Sequence, residues 1–102
     1  MPRKIPIISL RDFETKSKKR IVLRSLVENI SIGVESDLES VNVAEIKNHD
    51  VIISVPKTEW KAGLEQAMDY YIKREEYEEC SKIKKIIDKI KWSIQENKFK
   101  TQ

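Results

Sequence analysis

The sequence predicts an α+β protein, mostly α: a small N-terminal α/β element followed by a C-terminal antiparallel two-helix hairpin. Three observations carry this expectation. Two apolar stripes of helical period lie in the second half, on either side of the polar break Lys73-Arg74-Glu75-Glu76. A β-branched run, VIISV at 51–55, sits between turn signals in the first half. With only two Gly and three Pro in 102 residues, the chain has too few turn formers for an all-β sandwich.

Residues 1–12 read as an extended basic arm or an edge strand. The stretch KIPIISL is apolar and β-branched, and Pro6 cannot donate to a ladder, which confines it to an edge. Residues 13–57 read as a small α+β region. A helix is expected from Glu14 to Ile30 on the spacing of Ile21, Val22, Leu23, Leu26, Val27 and Ile30, ending near Gly33. A strand through RIVLRSLV competes with it, because three consecutive apolar residues do not fix a period. Residues 34–50 allow two readings. Ser36 or Asp37 could cap a short helix carrying Leu38, Val41 and Ile46, or VNVAEI could be a strand. Val51–Val55 is the best strand, and a sheet of 5–10 with 51–55 against one helix is the expected arrangement.

Residues 58–98 read as the hairpin, with Thr58 as the helix cap and 99–102 as a disordered tail. Trp60, Leu64, Ala67, Met68 and Tyr71 form one stripe of a 3.6-residue helix. Tyr77, Cys80, Ile83, Ile87, Ile90 and Ile94 form a second. Helices joined by so short a break run antiparallel. With the turn near Glu75, Tyr71 is expected beside Cys80, Met68 beside Ile83, Leu64 beside Ile87, and Trp60 beside Ile90 or Ile94. Ile86 and Trp92 lie off the main stripe.

Composition limits the function classes. A short chain with 39% hydrophobic residues, against about 45–50% in typical domains, has a modest core and is expected to draw stability from a partner. The single cysteine excludes an internal disulfide framework. No segment approaches the roughly 18 apolar residues of a membrane span, and MPRKIPIISL is too short and too interrupted by Pro6 for a signal peptide. The expected location is therefore cytoplasmic. Catalytic chemistry has few candidates. Cys80 and His49 are the lone members of their types and cannot supply a four-ligand zinc site. No glycine-rich phosphate loop exists. The acids Glu75, Glu76, Glu78 and Glu79 sit at a helix start, where the dipole favours them without a cation. The chain is expected not to be an enzyme and to need no cofactor.

The stretch LEQAMDYYIKREEYEECSKIKKIIDKIK, Leu64 to Lys91, resembles the UVR motif of UvrB/UvrC-type proteins. Leu64 and Met68 stand at the family's Leu and Met. Glu76-Tyr77-Glu78 stands at its Asp-Phe-Glu turn, Cys80-Ser81 at its paired alanines, Ile83-Lys84-Lys85 at its Leu-Arg-Asp, and Ile87 at its closing Ile. The match runs without a gap and departs at Tyr71, where the family usually has Ala, and at Lys85, where it has Asp. The resemblance implies a protein–protein contact. The motif joins subunits of excision-repair complexes and also occurs in Clp-type unfoldases and McsA-type adaptors.

The expected function is thus a small non-catalytic adaptor or regulator, bacterial or phage-encoded, that docks on a larger protein machine through the hairpin. The expected contact residues are Trp60, Leu64, Met68, Tyr71, Tyr77, Ile83, Ile87 and Trp92, and a homodimer through the same stripes is the other form of that contact. Residues 1–24 carry a charge balance of +6, residues 25–60 of −5, and residues 61–102 of +2. A nucleic-acid-binding accessory protein is therefore a competing reading. It rests on Lys16, Lys18, Lys19, Arg20 and Arg24, with Lys82, Lys84, Lys85, Lys89 and Lys91 in support. A structural subunit with its N-terminal arm in a neighbour is the third.

Overall fold

A computed structural model describes residues 5–100, with side chains through Lys91. The protein is mixed α+β, and it divides into two compact units, Met1–Trp60 and Lys61–Gln102.

The first unit opens with β1 (Ile7–Ile8), followed by α1 (Leu10–Thr15), α2 (Lys19–Glu35), β2 (Ser40–Ile46) and β3 (Val51–Pro56). The sheet order is β1-β2-β3, with β1 parallel and β3 antiparallel to β2. The strand absent from the expected two-stranded sheet is the middle one. VNVAEI is that strand, and 5–10 never meets 51–55 because β2 lies between them. Residues 1–4 of the expected arm lie outside the described residues, and its far end, from Leu10, is helical. Ser9 accepts a hydrogen bond from the Asp12 N–H at 3.0 Å and starts a helix at Leu10. A serine three residues before an acid is a helix-start signature. The helix expected over 14–30 is two helices, broken where Lys16 takes a left-handed conformation, φ 60°.

β2 explains why its stretch was ambiguous. Val41 pairs with Val55 and Asn42 with Ser54, but Ala44 pairs with Ile53, so Val43 is an extra residue. Such a bulge reverses which face later side chains take. Val41 before it, Val43 at it, and Ala44 and Ile46 after it are all buried. Strict alternation fails, although each half alternates. The buried row meets the α2 stripe, on which Leu23, Leu26, Val27, Ile30 and Gly33 are buried. Ile8, Ala44 and Ile46 cluster with Val22 and Ile53 against them.

One buried polar chain crosses this core. In the parallel ladder Glu45 N–H donates to the Pro6 carbonyl and Lys47 N–H to the Ile8 carbonyl, at 2.9 and 2.7 Å. The next step back would have residue 6 donate to the Val43 carbonyl, but proline has no N–H. The Ser25 hydroxyl donates to Val43 O instead, at 2.6 Å. Asn29 Nδ2 in turn donates to Ser25 O at 2.9 Å, and its Oδ1 is buried without a partner.

Trp60 closes the first unit. It is 1% exposed, and its indole N–H donates to Val55 O at 2.9 Å. Its ring lies over Gly33, where a built Cβ would stand 2.8 Å from Cη2 and 2.7 Å from Val41 Cγ1. Gly33 is therefore a close-approach residue in the last turn of α2, which ends two residues later at Glu35, near where the sequence places it. Thr58 does not cap the following helix. The chain enters it through a 3₁₀ turn, Lys57–Glu59, with the Trp60 N–H bonded to Lys57 O.

The second unit is the helical hairpin: α3 (Trp60–Lys73), whose first residue belongs to the first unit, and α4 (Tyr77–Lys100). α4 runs past the boundary drawn at 98, and only 101–102 of the expected tail lie outside the described residues. The turn has Glu75 in the left-handed region at φ 58°. Glu76 N–H folds back to Tyr71 O at 2.9 Å, and Glu75 N–H to Ile72 O at 2.9 Å. α1 and α2 end in the same way: Ser17 N–H returns to Asp12 O, and Leu38 N–H to Gly33 O. Lys16, Asp37 and Glu75 thus take the left-handed position that glycine usually fills. Cys80 lies against α3, with Sγ 3.8 Å from the Met68 carbonyl, an oxygen that a helix directs toward the level of residues 71 and 72.

Candidate functional site

The structure separates the expected contact residues by exposure. Trp60, Leu64, Tyr71, Ile83 and Ile87 are buried. They are core side chains and offer no surface to a partner in this state. Met68 is half-buried. Tyr77 is 62% exposed. The Trp92 side chain lies outside the described residues. The correction has a simple cause: a 3.6-residue apolar stripe is required equally by an internal core and by an external interface, and its spacing does not distinguish them.

What the hairpin does expose lies at its turn. Ile72, 46% exposed, and Tyr77 flank the residues Arg74–Glu76. Sequence reasoning missed Ile72, though a signal was there, since an isoleucine next to Tyr71 falls off the α3 stripe. Arg74 stacks its guanidinium 3.8 Å over the Tyr70 ring, which meets Tyr71 edge-on at 5.3 Å. These contacts stiffen the end of α3. Charges of both signs lie beside Ile72 and Tyr77 in the chain, Lys73 and Arg74 as well as Glu75, Glu78 and Glu79, and Glu79 pairs with Lys82 at 3.5 Å. The turn therefore exposes two apolar side chains among charged residues.

One group of basic residues lies in the first unit. Lys16, Lys18, Lys19, Arg20 and Arg24 are all exposed. Lys16 ends α1, Lys18 caps α2 without a side-chain hydrogen bond, and the first turn of α2 holds no acid. Arg24 pairs with Glu28 at 3.6 Å. Four cations thus gather where two helices meet at a tight turn, on a positive helix end that adds to their field. On α4, Lys82, Lys84, Lys85, Lys89 and Lys91 are exposed as well.

Groups suited to catalysis are dispersed. His49 is exposed in the turn between β2 and β3. Cys80 is half-buried against a backbone carbonyl. Among the described residues no three His, Cys, Asp or Glu side chains gather as metal ligands. Nor is any helix there long and apolar enough to cross a membrane. No family model, curated protein or solved structure matches the chain.

Proposed function

We propose that the protein is a small non-catalytic adaptor that docks on a larger protein machine in the cytoplasm of a bacterium, or of a cell carrying a phage, through the turn end of its α3–α4 hairpin. The observation that carries this reading is the exposure of Ile72 and Tyr77 on either side of the hairpin turn. Exposed aromatic anchors contribute disproportionately to interface energy. The UVR-like pattern from Leu64 to Lys91 supports it, because there the aromatic residue of the turn is Tyr77 itself. The buried stripes give the hairpin its shape, and the turn makes the contact.

The test is affinity capture from the native host with wild type and Tyr77→Asp. Tyr77 is exposed, so the variant keeps its fold. A single large protein captured by wild type and lost in the variant is the expected result. Identical capture profiles refute the reading.

The exposed cluster Lys16, Lys18, Lys19, Arg20 and Arg24 favours a second function, an accessory protein that contacts nucleic-acid phosphates. Retardation of DNA or RNA at low salt, falling steeply as salt rises, would support it. Unretarded nucleic acid at low salt removes it.

A further inference from the structure

Among the described residues the sheet has two open edges, and the segments that carry them differ in charge. At β1, the Pro6 and Ile8 carbonyls accept hydrogen bonds from β2, so alternation turns the N–H and C=O of Ile7 outward. At β3, Lys57 N–H donates to Glu39 O at 2.8 Å. The same alternation turns the backbone of Ile52 and Ser54 outward, and Pro56 ends the row because it has no N–H. Unpaired edges of this kind are templates for another strand.

The β1 edge is also a groove. Ile21, Arg24, Ser25 and Glu28 recur along one side of α2 and face Ile5 and Ile7 across about 490 Å³ of open space. Ile7 is 58% and Ile21 46% exposed. On the β3 edge, Val51 is 46% and Ile52 49% exposed. Val51 shares the helix-facing side of the sheet with its partner Ile46, whereas Ile52 shares the outer side with Glu45 and Ile7.

Charge selects the occupant. Residues 5–24, which contain β1, hold six Lys/Arg and two acids, a balance of +4. Residues 35–59, which contain β2 and β3, hold two Lys and six acids, a balance of −4, of which Glu45 on β2 pairs with both Ile7 and Ile52 and is common to the two edges. Two β1 edges repel each other, as do two β3 edges, and only unlike edges attract.

We propose that β3 of a second copy adds to the β1 edge, with its Val51 in the groove against Ile21 and its Ile52 beside Ile7. The contact is head-to-tail, so it propagates into a ring or a chain of copies. Few backbone groups are available on either edge, so the association is weak and reversible. It involves neither Ile72 nor Tyr77 and stands apart from the docking function proposed above.

Sedimentation velocity of the full chain tests it. Wild type is expected to associate with rising concentration at low ionic strength and to dissociate as salt screens the opposed charges. Ile7→Lys blocks one edge and Ile52→Lys the other. Both sites are exposed, and far-UV circular dichroism confirms that each variant is folded. Each variant alone is expected to be monomeric. Mixed in equal amounts, they form a dimer that grows no further, because one intact edge of each kind remains. The proposal fails if wild type stays monomeric up to about 0.5 mM at low salt, where even a Kd of ~1 mM would populate dimers; the groove would then await a strand from another protein. It fails equally if the mixture stays monomeric, if the single variants associate like wild type, or if only Tyr77→Asp abolishes association, which would place the contact at the hairpin.

Discussion

Replacing Gly33 by alanine sets two effects of similar size against each other. Alanine favours a helix interior over glycine by about 1 kcal/mol, so at an ordinary position in α2 the change would stabilise the protein. Here the new methyl would stand 2.7 Å from Val41 Cγ1 and 2.8 Å from Trp60 Cη2, against an ordinary carbon–carbon contact of about 3.5–4.0 Å. Neither neighbour yields easily. Val41 is 4% exposed and stiff at its branched carbon. Trp60 is 1% exposed and is tied to Val55 O through its indole N–H. Overpacking of a tight core costs about 1–3 kcal/mol. With both neighbours held, the upper part of that range applies, and Gly33→Ala should destabilise the fold by a net ~1–2 kcal/mol. For a chain of this size each kcal/mol lowers the melting temperature by about 4–8 °C. Urea unfolding followed by circular dichroism measures the change directly. The double variant with Val41→Ala removes one obstructing methyl and should recover ~1 kcal/mol relative to the sum of the two single changes. A Gly33→Ala variant more stable than wild type would refute the close approach of α2, β2 and Trp60.

Three further outcomes follow from the same structure. Ser25→Ala takes a hydroxyl donor from the Val43 carbonyl that Pro6 cannot serve, and it should cost about 1–3 kcal/mol in urea unfolding. Trp60→Phe removes an N–H that donates to Val55 O and leaves a gap beside Gly33. Its cost should reach about 2–4 kcal/mol by the same measurement, combining a lost hydrogen bond with a cavity. Glu75→Gly relieves a left-handed backbone at the hairpin turn and should raise stability by up to ~1 kcal/mol, seen as a higher melting temperature; a lower one would mean that the Glu75 side chain contributes to the turn.

The two-helix hairpin was legible from spacing alone, because a helix is a local structure. The period of Trp60, Leu64, Ala67, Met68 and Tyr71, repeated from Tyr77 to Ile90, fixes two helices whatever surrounds them, and the polar break between them fixes a turn. VIISV was legible for a similar reason, being bounded by residues that favour turns and ending at a proline. The start of α1 at Ser9 is equally written in the chain, in the three-residue step to Asp12. Helix ends were harder. Lys16, Asp37 and Glu75 stop their helices by adopting a conformation that none of them favours, so the usual glycine signal is missing. β2 required the tertiary structure, because the bulge at Val43 is defined by its partner strand and hides the alternation on which a sequence reading depends. So did the packing of Gly33, which has meaning only once Val41 and Trp60 lie against it. The same holds for the candidate site: which of two apolar stripes is core and which is surface depends on what covers them, and this assigned Tyr71 to the interior and left Tyr77 and Ile72 in water. Local periodicity states that a face must be buried, and only packing over long separations in the chain determines against what.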